Sequence, residues 1–115
     1  MGRRHRQRAK LAAPVAEYRD PQDNVLTLRG SLTAPARREY GEVLSGGLDR
    51  EDAWQRALEL LFERLAVSWT ISGVTIDRQK ELLGRYRMAS SAERTFVRDS
   101  LRTHVAEHFP ELQAP

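Results

Sequence analysis

Alternating hydrophobic and polar positions predict a small amount of β structure near the start of the chain. Residues 15–18 and 25–29 are short candidate strands, and the turn-forming residues 20–24 between them favour a hairpin. Leu26 and Leu28 share one face of the second strand, which is the two-residue repeat of a half-buried strand. An isolated hairpin is marginally stable in water, so we expect it to pack against helices.

A second alternating segment, residues 67–72, leaves two assignments open. Val67, Trp69 and Ile71 alternate with serine and threonine, and Gly73 follows. The β-branched residues in the segment favour a strand, because branching at Cβ restricts the side chain more in a helix. A helix that continues through Trp69 is the alternative.

Apolar positions at helical spacing predict four helices. The first helix is expected from Thr33 to Leu44 and the second from Asp49 to Leu65. The third is expected to start at Thr75 or Asp77 and to reach Tyr86, and the fourth starts with the capping box Ser90–Glu93 and stops at Pro110. Their inward positions are Ala36, Tyr40, Val43, Leu44; Ala53, Trp54, Ala57, Leu58, Leu60, Leu61, Phe62, Leu65; Ile76, Leu82, Leu83, Tyr86; and Phe96, Val97, Leu101, Val105, Phe109. The second helix has the widest apolar stripe, so we expect it to be central. The predicted fold is a single, mainly α domain with a small β-hairpin or β element.

Composition excludes several classes of site. The chain has 115 residues, which is the size of one domain, and it contains no cysteine, so disulfides and cysteine-ligated metals are excluded. No run approaches the ~20 apolar residues of a membrane-spanning helix. We therefore expect a cytoplasmic protein with no membrane partner.

Positive charge is concentrated in the first ten residues. They contain Arg3, Arg4, Arg6, Arg8 and Lys10 and no acid, whereas the rest of the chain has 14 basic and 16 acidic residues. We predict a flexible basic arm over residues 1–13 and a folded domain over residues 14–115. The arm is suited to contacts with nucleic acid or an acidic partner, and a solvated tail without a partner is the alternative.

Candidate catalytic chemistry is limited to one short motif. His104, Glu107 and His108 fit the H-x-x-E-H pattern of a zinc peptidase, in which two histidines bind the metal and the glutamate activates water. A small metal-dependent hydrolase is therefore one alternative function. However, the pattern has three fixed positions and lies close to the C-terminus, without an evident third ligand. We predict no catalytic residue, no metal and no cofactor.

Large side chains near the predicted turn suggest a surface for a protein partner. We predict that Trp69, Ile71, Val74, Ile76 and Tyr86 contact that partner, because exposed aromatic and apolar side chains dominate interface energetics. Core packing is the alternative for Trp69. Another copy of the chain is an alternative occupant of this surface.

The order of these segments resembles a known family. The segments are VLTLRGSLT, DAWQRALELLFERL, SWTISGV and RQKELLGRYRMASSAERTFVRDSLRTHVAEHFPEL, within residues 25–112. Together they resemble the small tail assembly chaperones of long-tailed bacteriophages and prophages. The resemblance implies a non-enzymatic, cytoplasmic assembly factor that binds tape measure and tail tube proteins, and it implies no catalytic residues. A small nucleic-acid-binding protein that uses its arginine-rich arm is the alternative.

Overall fold

The computed structural model describes residues 14–46 and 49–112. In these ranges the chain forms four strands and four helices in the order β1, β2, α1, α2, β3, β4, α3, α4. The strands are β1 (Val15–Arg19), β2 (Val25–Arg29), β3 (Ala66–Ile71) and β4 (Val74–Ile76), and the helices are α1 (Ala34–Ser45), α2 (Arg50–Leu65), α3 (Gln79–Arg87) and α4 (Ser91–His108).

The strands form one antiparallel sheet in the order β1-β2-β3-β4. The N-terminal hairpin and the strand that follows α2 are confirmed, but the prediction of a small β element undercounts the sheet. Strand β4 overlaps the predicted start of the third helix at Thr75 or Asp77, and its three residues are too few to show a two-residue period. That helix begins later, at Gln79.

A tight turn makes β4 antiparallel to β3. Ser72 and Gly73 both have positive φ, 51° and 79°, which is the pattern of the two-residue turns that match the twist of antiparallel strands. Glycine takes this conformation without steric cost, whereas serine does so rarely. The turn therefore places Val74 directly opposite Ile71.

The two faces of the sheet differ in polarity. Leu26 of β2, Trp69 of β3 and Ile76 of β4 are aligned on the inner face, which packs against helices. Thr70 and Thr75 are cross-strand neighbours on the outer face, where their hydroxyl oxygens are 2.9 Å apart. The fold therefore has two layers, with an antiparallel sheet beneath a group of helices.

Helix α2 is central, as its wide apolar stripe predicts. Its buried side chains are Ala53, Ala57, Leu58, Leu61, Phe62 and Leu65. It contacts α1, α3, α4 and β3, and β3 begins at the residue after the helix ends. Trp54 is an exception to the predicted core: it lies in the first turns of α2, at the margin of the stripe, and is 38% exposed. Phe96 is only partly buried against the core.

Local capping fixes three of the helix starts. The Thr33 and Asp49 side chains accept hydrogen bonds from the first turns of α1 and α2. At α4, Ser90 and Glu93 form the reciprocal capping box that the sequence predicts. These caps satisfy backbone N–H groups that have no partner inside the helix.

Candidate functional site

The five residues predicted to contact a partner divide into a buried pair and an edge group. Trp69 is 1% exposed and Tyr86 is 3% exposed, so neither presents a surface to a partner in this structure. Ile71 and Ile76 are half-buried, and Val74 is 65% exposed. The expectation of exposed aromatic anchors is therefore wrong, because both rings complete the core between the sheet and α3.

Phe62 of α2 joins the two buried aromatic residues. Its ring stacks on Tyr86 with centroids 4.9 Å apart and meets Trp69 edge-on at 5.9 Å. Arginines cover the outer sides, with Arg85 over Trp69 and Arg94 over Tyr86. Burial raises the pKa of the Tyr86 phenol above its ordinary value, despite the opposing charge of Arg94. This cluster has a structural role.

The remaining three residues form the β4 edge, which we define as Ile71, Val74 and Ile76. Ile71 and Val74 are cross-strand partners, and Ile76 lies opposite Trp69. Within the described residues β4 pairs with β3 alone, so its other side offers unpaired backbone groups. Such an edge can accept a further strand, with alternate side chains providing specificity.

The turn of the β4 edge is held by the N-terminal hairpin. The Ser72 backbone N–H donates to the Asn24 side-chain oxygen at 2.9 Å, and the Asn24 amide nitrogen donates to Asp20 at 2.9 Å. Asn24 is the only asparagine in the chain, yet the sequence gives no sign that it bridges two turns 48 residues apart. These contacts position the edge before any partner binds.

A groove of about 510 Å³ lies along the exposed side of α2, between α1 and the α3–α4 region. Val43, Leu60, Leu83 and Tyr86 supply its apolar lining. Its charged residues are Glu39, Asp52, Arg56, Glu59, Glu63, Arg87 and Arg94. No pattern in the sequence indicates this groove, because its lining comes from the margins of four separate helices.

Four of the seven charged side chains of the groove form ion pairs with one another. Both Nε and Nη2 of Arg87 donate to Glu59 Oε1, at 3.2 and 2.5 Å, and Arg56 pairs with Asp52 at 2.7 Å. The hydrogen bond to Glu59 raises the pKa of Arg87 above its ordinary value. The walls of the groove therefore carry two ion pairs, Arg87–Glu59 and Arg56–Asp52.

The histidines of the H-x-x-E-H motif do not form a metal centre in this structure. His104 is fully buried, its Nε2 donates to the Arg29 carbonyl oxygen at 2.7 Å, and its Nδ1 is 2.9 Å from the Tyr18 hydroxyl. Both ring nitrogens are therefore occupied. Within the described residues, no group of three or more His, Cys, Asp or Glu side chains is arranged to hold a metal ion.

The predicted basic contacts Arg3, Arg4, Arg6, Arg8 and Lys10 lie outside the described residues, as does the whole predicted arm, 1–13. Across residues 14–46 and 49–112, no helix combines the length and apolar character that crossing a bilayer requires. The chain matches no known protein-family model, and no curated protein or solved structure is significantly similar to it.

Proposed function

We propose that the protein is a non-enzymatic binding module whose β4 edge receives an extended apolar segment of a partner protein. The observation that carries this proposal is the exposure of Val74, which is 65% accessible on an edge strand beside the half-buried Ile71. An exposed sheet edge can accept a further strand through its unpaired backbone groups, and apolar side chains beside that edge can contact alternate side chains of the added strand.

The contrast between the two sheet edges supports β4 as the binding edge. β1, at the opposite edge, also exposes an apolar side chain, Val15, but it follows Pro14 and exposes the charged side chains Glu17 and Arg19, which are features that oppose pairing with another chain. β4 contains neither a charge nor a proline, and its sequence is Val-Thr-Ile. Because β4 has three residues, backbone pairing would be brief, and contacts with Val74 and Ile71 would supply much of the affinity.

The resemblance to tail assembly chaperones provides concrete partners to test. On this proposal the chain acts during assembly in the cytoplasm, and the extended segment belongs to a tape measure or tail tube protein. Asn24, which holds the β3–β4 turn, would keep the edge ordered between rounds of binding. Preordering reduces the conformational entropy lost on binding.

Calorimetric titration with tape measure and tail tube segments tests the proposal. Val74→Asp places a charge on the binding edge, and Val15→Asp is the matched control at the opposite edge, where Val15 is also exposed. We expect Val74→Asp to weaken binding by at least about tenfold, or ~1.4 kcal/mol, with Val15→Asp near the wild type. Unchanged binding by Val74→Asp, or equal losses in both variants, contradicts the proposal.

Nucleic-acid binding is a second proposal, and the charge of the arm favours it. Five basic side chains without an acid in residues 1–10 can neutralise several phosphates. Filter binding of RNA and duplex DNA at two salt concentrations, with and without residues 1–10, tests this function. Binding that is insensitive to salt or independent of the arm excludes the electrostatic mechanism.

A further inference from the structure

His104 joins three separate parts of the chain on the β1 side of the sheet, away from β4. It lies on α4, its Nε2 reaches the backbone of β2, and its Nδ1 reaches the Tyr18 hydroxyl of β1. The Tyr18 and His104 rings meet edge-on with centroids 5.7 Å apart. This phenol–imidazole contact links the edge strand β1 to α4 over 86 positions in sequence.

The hydrogen bonds fix which ring nitrogen carries the proton when the imidazole is neutral. The Arg29 carbonyl oxygen can only accept, so Nε2 carries the proton of the neutral imidazole. Nδ1 then has a free lone pair and accepts from the Tyr18 hydroxyl. A second proton on Nδ1 would reverse this hydrogen bond, because Nδ1–H would then donate to the Tyr18 oxygen, and the tyrosine O–H would need another acceptor while a positive charge stayed buried.

The surroundings of His104 also disfavour a positive charge. Its side chain is fully buried, and the His108 ring lies 4.3 Å away between centroids. Phe109 closes another side edge-on at 5.9 Å, with the Arg37 guanidinium of α1 beyond that ring. Opposing these effects, the Glu107 carboxylate is a nearby negative charge on the same helix, and β2 contributes the Arg29 carbonyl oxygen.

We propose that the Tyr18–His104 contact is an acid-sensitive latch, which holds β1 against α4 at neutral pH and opens when His104 takes up a proton. Opening lets the imidazolium and the Tyr18 hydroxyl both reach water. β1 is the element that yields, because it is an edge strand with one neighbour in the described sheet and a half-buried, alternating pattern. β3, between two strands, remains in place.

The pKa of His104 supports this direction of change. Burial, as the largest cause, lowers the pKa of the folded imidazole below its ordinary value of 6.5, and the neighbouring His108 acts in the same sense. The opened form, with an ordinary pKa, therefore binds the proton more readily. Above pH 6.5 the latch is unaffected, and as the pH falls below 6.5 opening becomes progressively more favourable.

Hydrogen exchange at pH 7.5 and 5.5, corrected for intrinsic exchange rates, tests the latch on the full chain. We expect the protection of the β1 amides to fall by up to about tenfold at pH 5.5, while the β3 amides change less. The limit is about tenfold because pH 5.5 lies one unit below the ordinary pKa of 6.5 that His104 has in the open form. Equal losses in β1 and β3 would mean global acid destabilisation and would overturn the proposal. So would β1 protection that does not depend on pH.

Two glutamine variants separate His104 from its neighbour. His104→Gln can still donate to Arg29 and accept from Tyr18 but cannot titrate, so its β1 protection should not change between the two pH values. His108→Gln, the matched control, should keep most of the pH dependence. An NMR titration of the wild-type ring covers the case in which His104→Gln does not fold, because a pKa at or above 6.5 refutes the latch.

Discussion

Arg85 and Glu93 are joined across the turn between α3 and α4, where Nη2 of the arginine donates to the carboxylate at 2.6 Å. The other carboxylate oxygen of Glu93 accepts from the Ser90 backbone N–H at 2.8 Å. One side chain therefore caps α4 and ties it to α3. The hydrogen bond from Arg85, with that from Ser90, holds the pKa of Glu93 below its ordinary value of 4.5.

Glu93→Gln should lower the free energy of unfolding by about 1 kcal/mol at pH 7, since it weakens a cap and removes a partly exposed ion pair. The folded pKa of Glu93 is lowered, so the stabilisation is complete above pH 4.5 and is lost as the pH falls through the folded pKa. Urea unfolding from pH 7 to pH 3 should show the gap between variant and wild type closing.

Asp99→Asn is the matched control for that measurement. Asp99 lies on the same helix and is exposed, and its carboxylate is 3.7 Å from the Arg98 side chain. Its replacement should change the free energy of unfolding by less than about 0.5 kcal/mol. If the two variants lose equal stability, the effect comes from helix charge and the Arg85–Glu93 contact has no special role.

The two tryptophans should differ in fluorescence. Trp69 is buried and Trp54 is partly exposed, so Trp54→Phe should leave a blue-shifted emission that iodide quenches poorly. Trp69→Phe should leave a red-shifted emission that iodide quenches well. If Trp54→Phe instead leaves the red-shifted, well-quenched emission, then Trp69 lies at the surface. That result would support the sequence prediction that Trp69 contacts a partner.

Truncation of Trp69 should be among the most damaging changes in the chain. Trp69→Ala removes a ring packed against Phe62 and Arg85, and we expect a loss of about 3–5 kcal/mol in denaturant unfolding. Trp69→Phe should cost much less, since the indole Nε1–H is buried without a hydrogen-bond partner and its removal relieves that cost. Equal losses in both variants would contradict the packing of Trp69 against Phe62, because phenylalanine keeps most of the buried ring.

Two exposed glycines should respond to alanine with opposite signs. Gly73→Ala puts a Cβ at φ +79° and should cost about 1 kcal/mol. Gly84→Ala lies in α3 with open space around the new Cβ, and it should stabilise the protein by about 0.5–1 kcal/mol. Thermal unfolding of both variants measures the difference, and destabilisation by Gly84→Ala would be inconsistent with the helix at that position.

The features that the sequence predicted well are those with local causes. The capping box at Ser90, the turn after Tyr18 and the alternation around Trp69 each depend on residues within a few positions. The features it missed depend on distant residues. Alternation predicts which face of the strand Trp69 lies on, but it does not predict how deeply the side chain is buried, because that burial depends on Phe62 and α3. Likewise, nothing near His104 indicates Tyr18, because the chain must close the whole domain before the two meet.

The separation of β2 and β3 along the chain has a consequence for the order of folding events. β2 and β3 are neighbours in the sheet, but the whole α1–α2 hairpin separates them along the chain. Joining these strands first would close a long loop with little enthalpic reward, whereas packing α1 on α2 shortens that loop beforehand. We therefore expect the helical hairpin to nucleate folding and the β2–β3 pairing to come late, so that the two local hairpins, β1–β2 and β3–β4, join into one sheet only at the end.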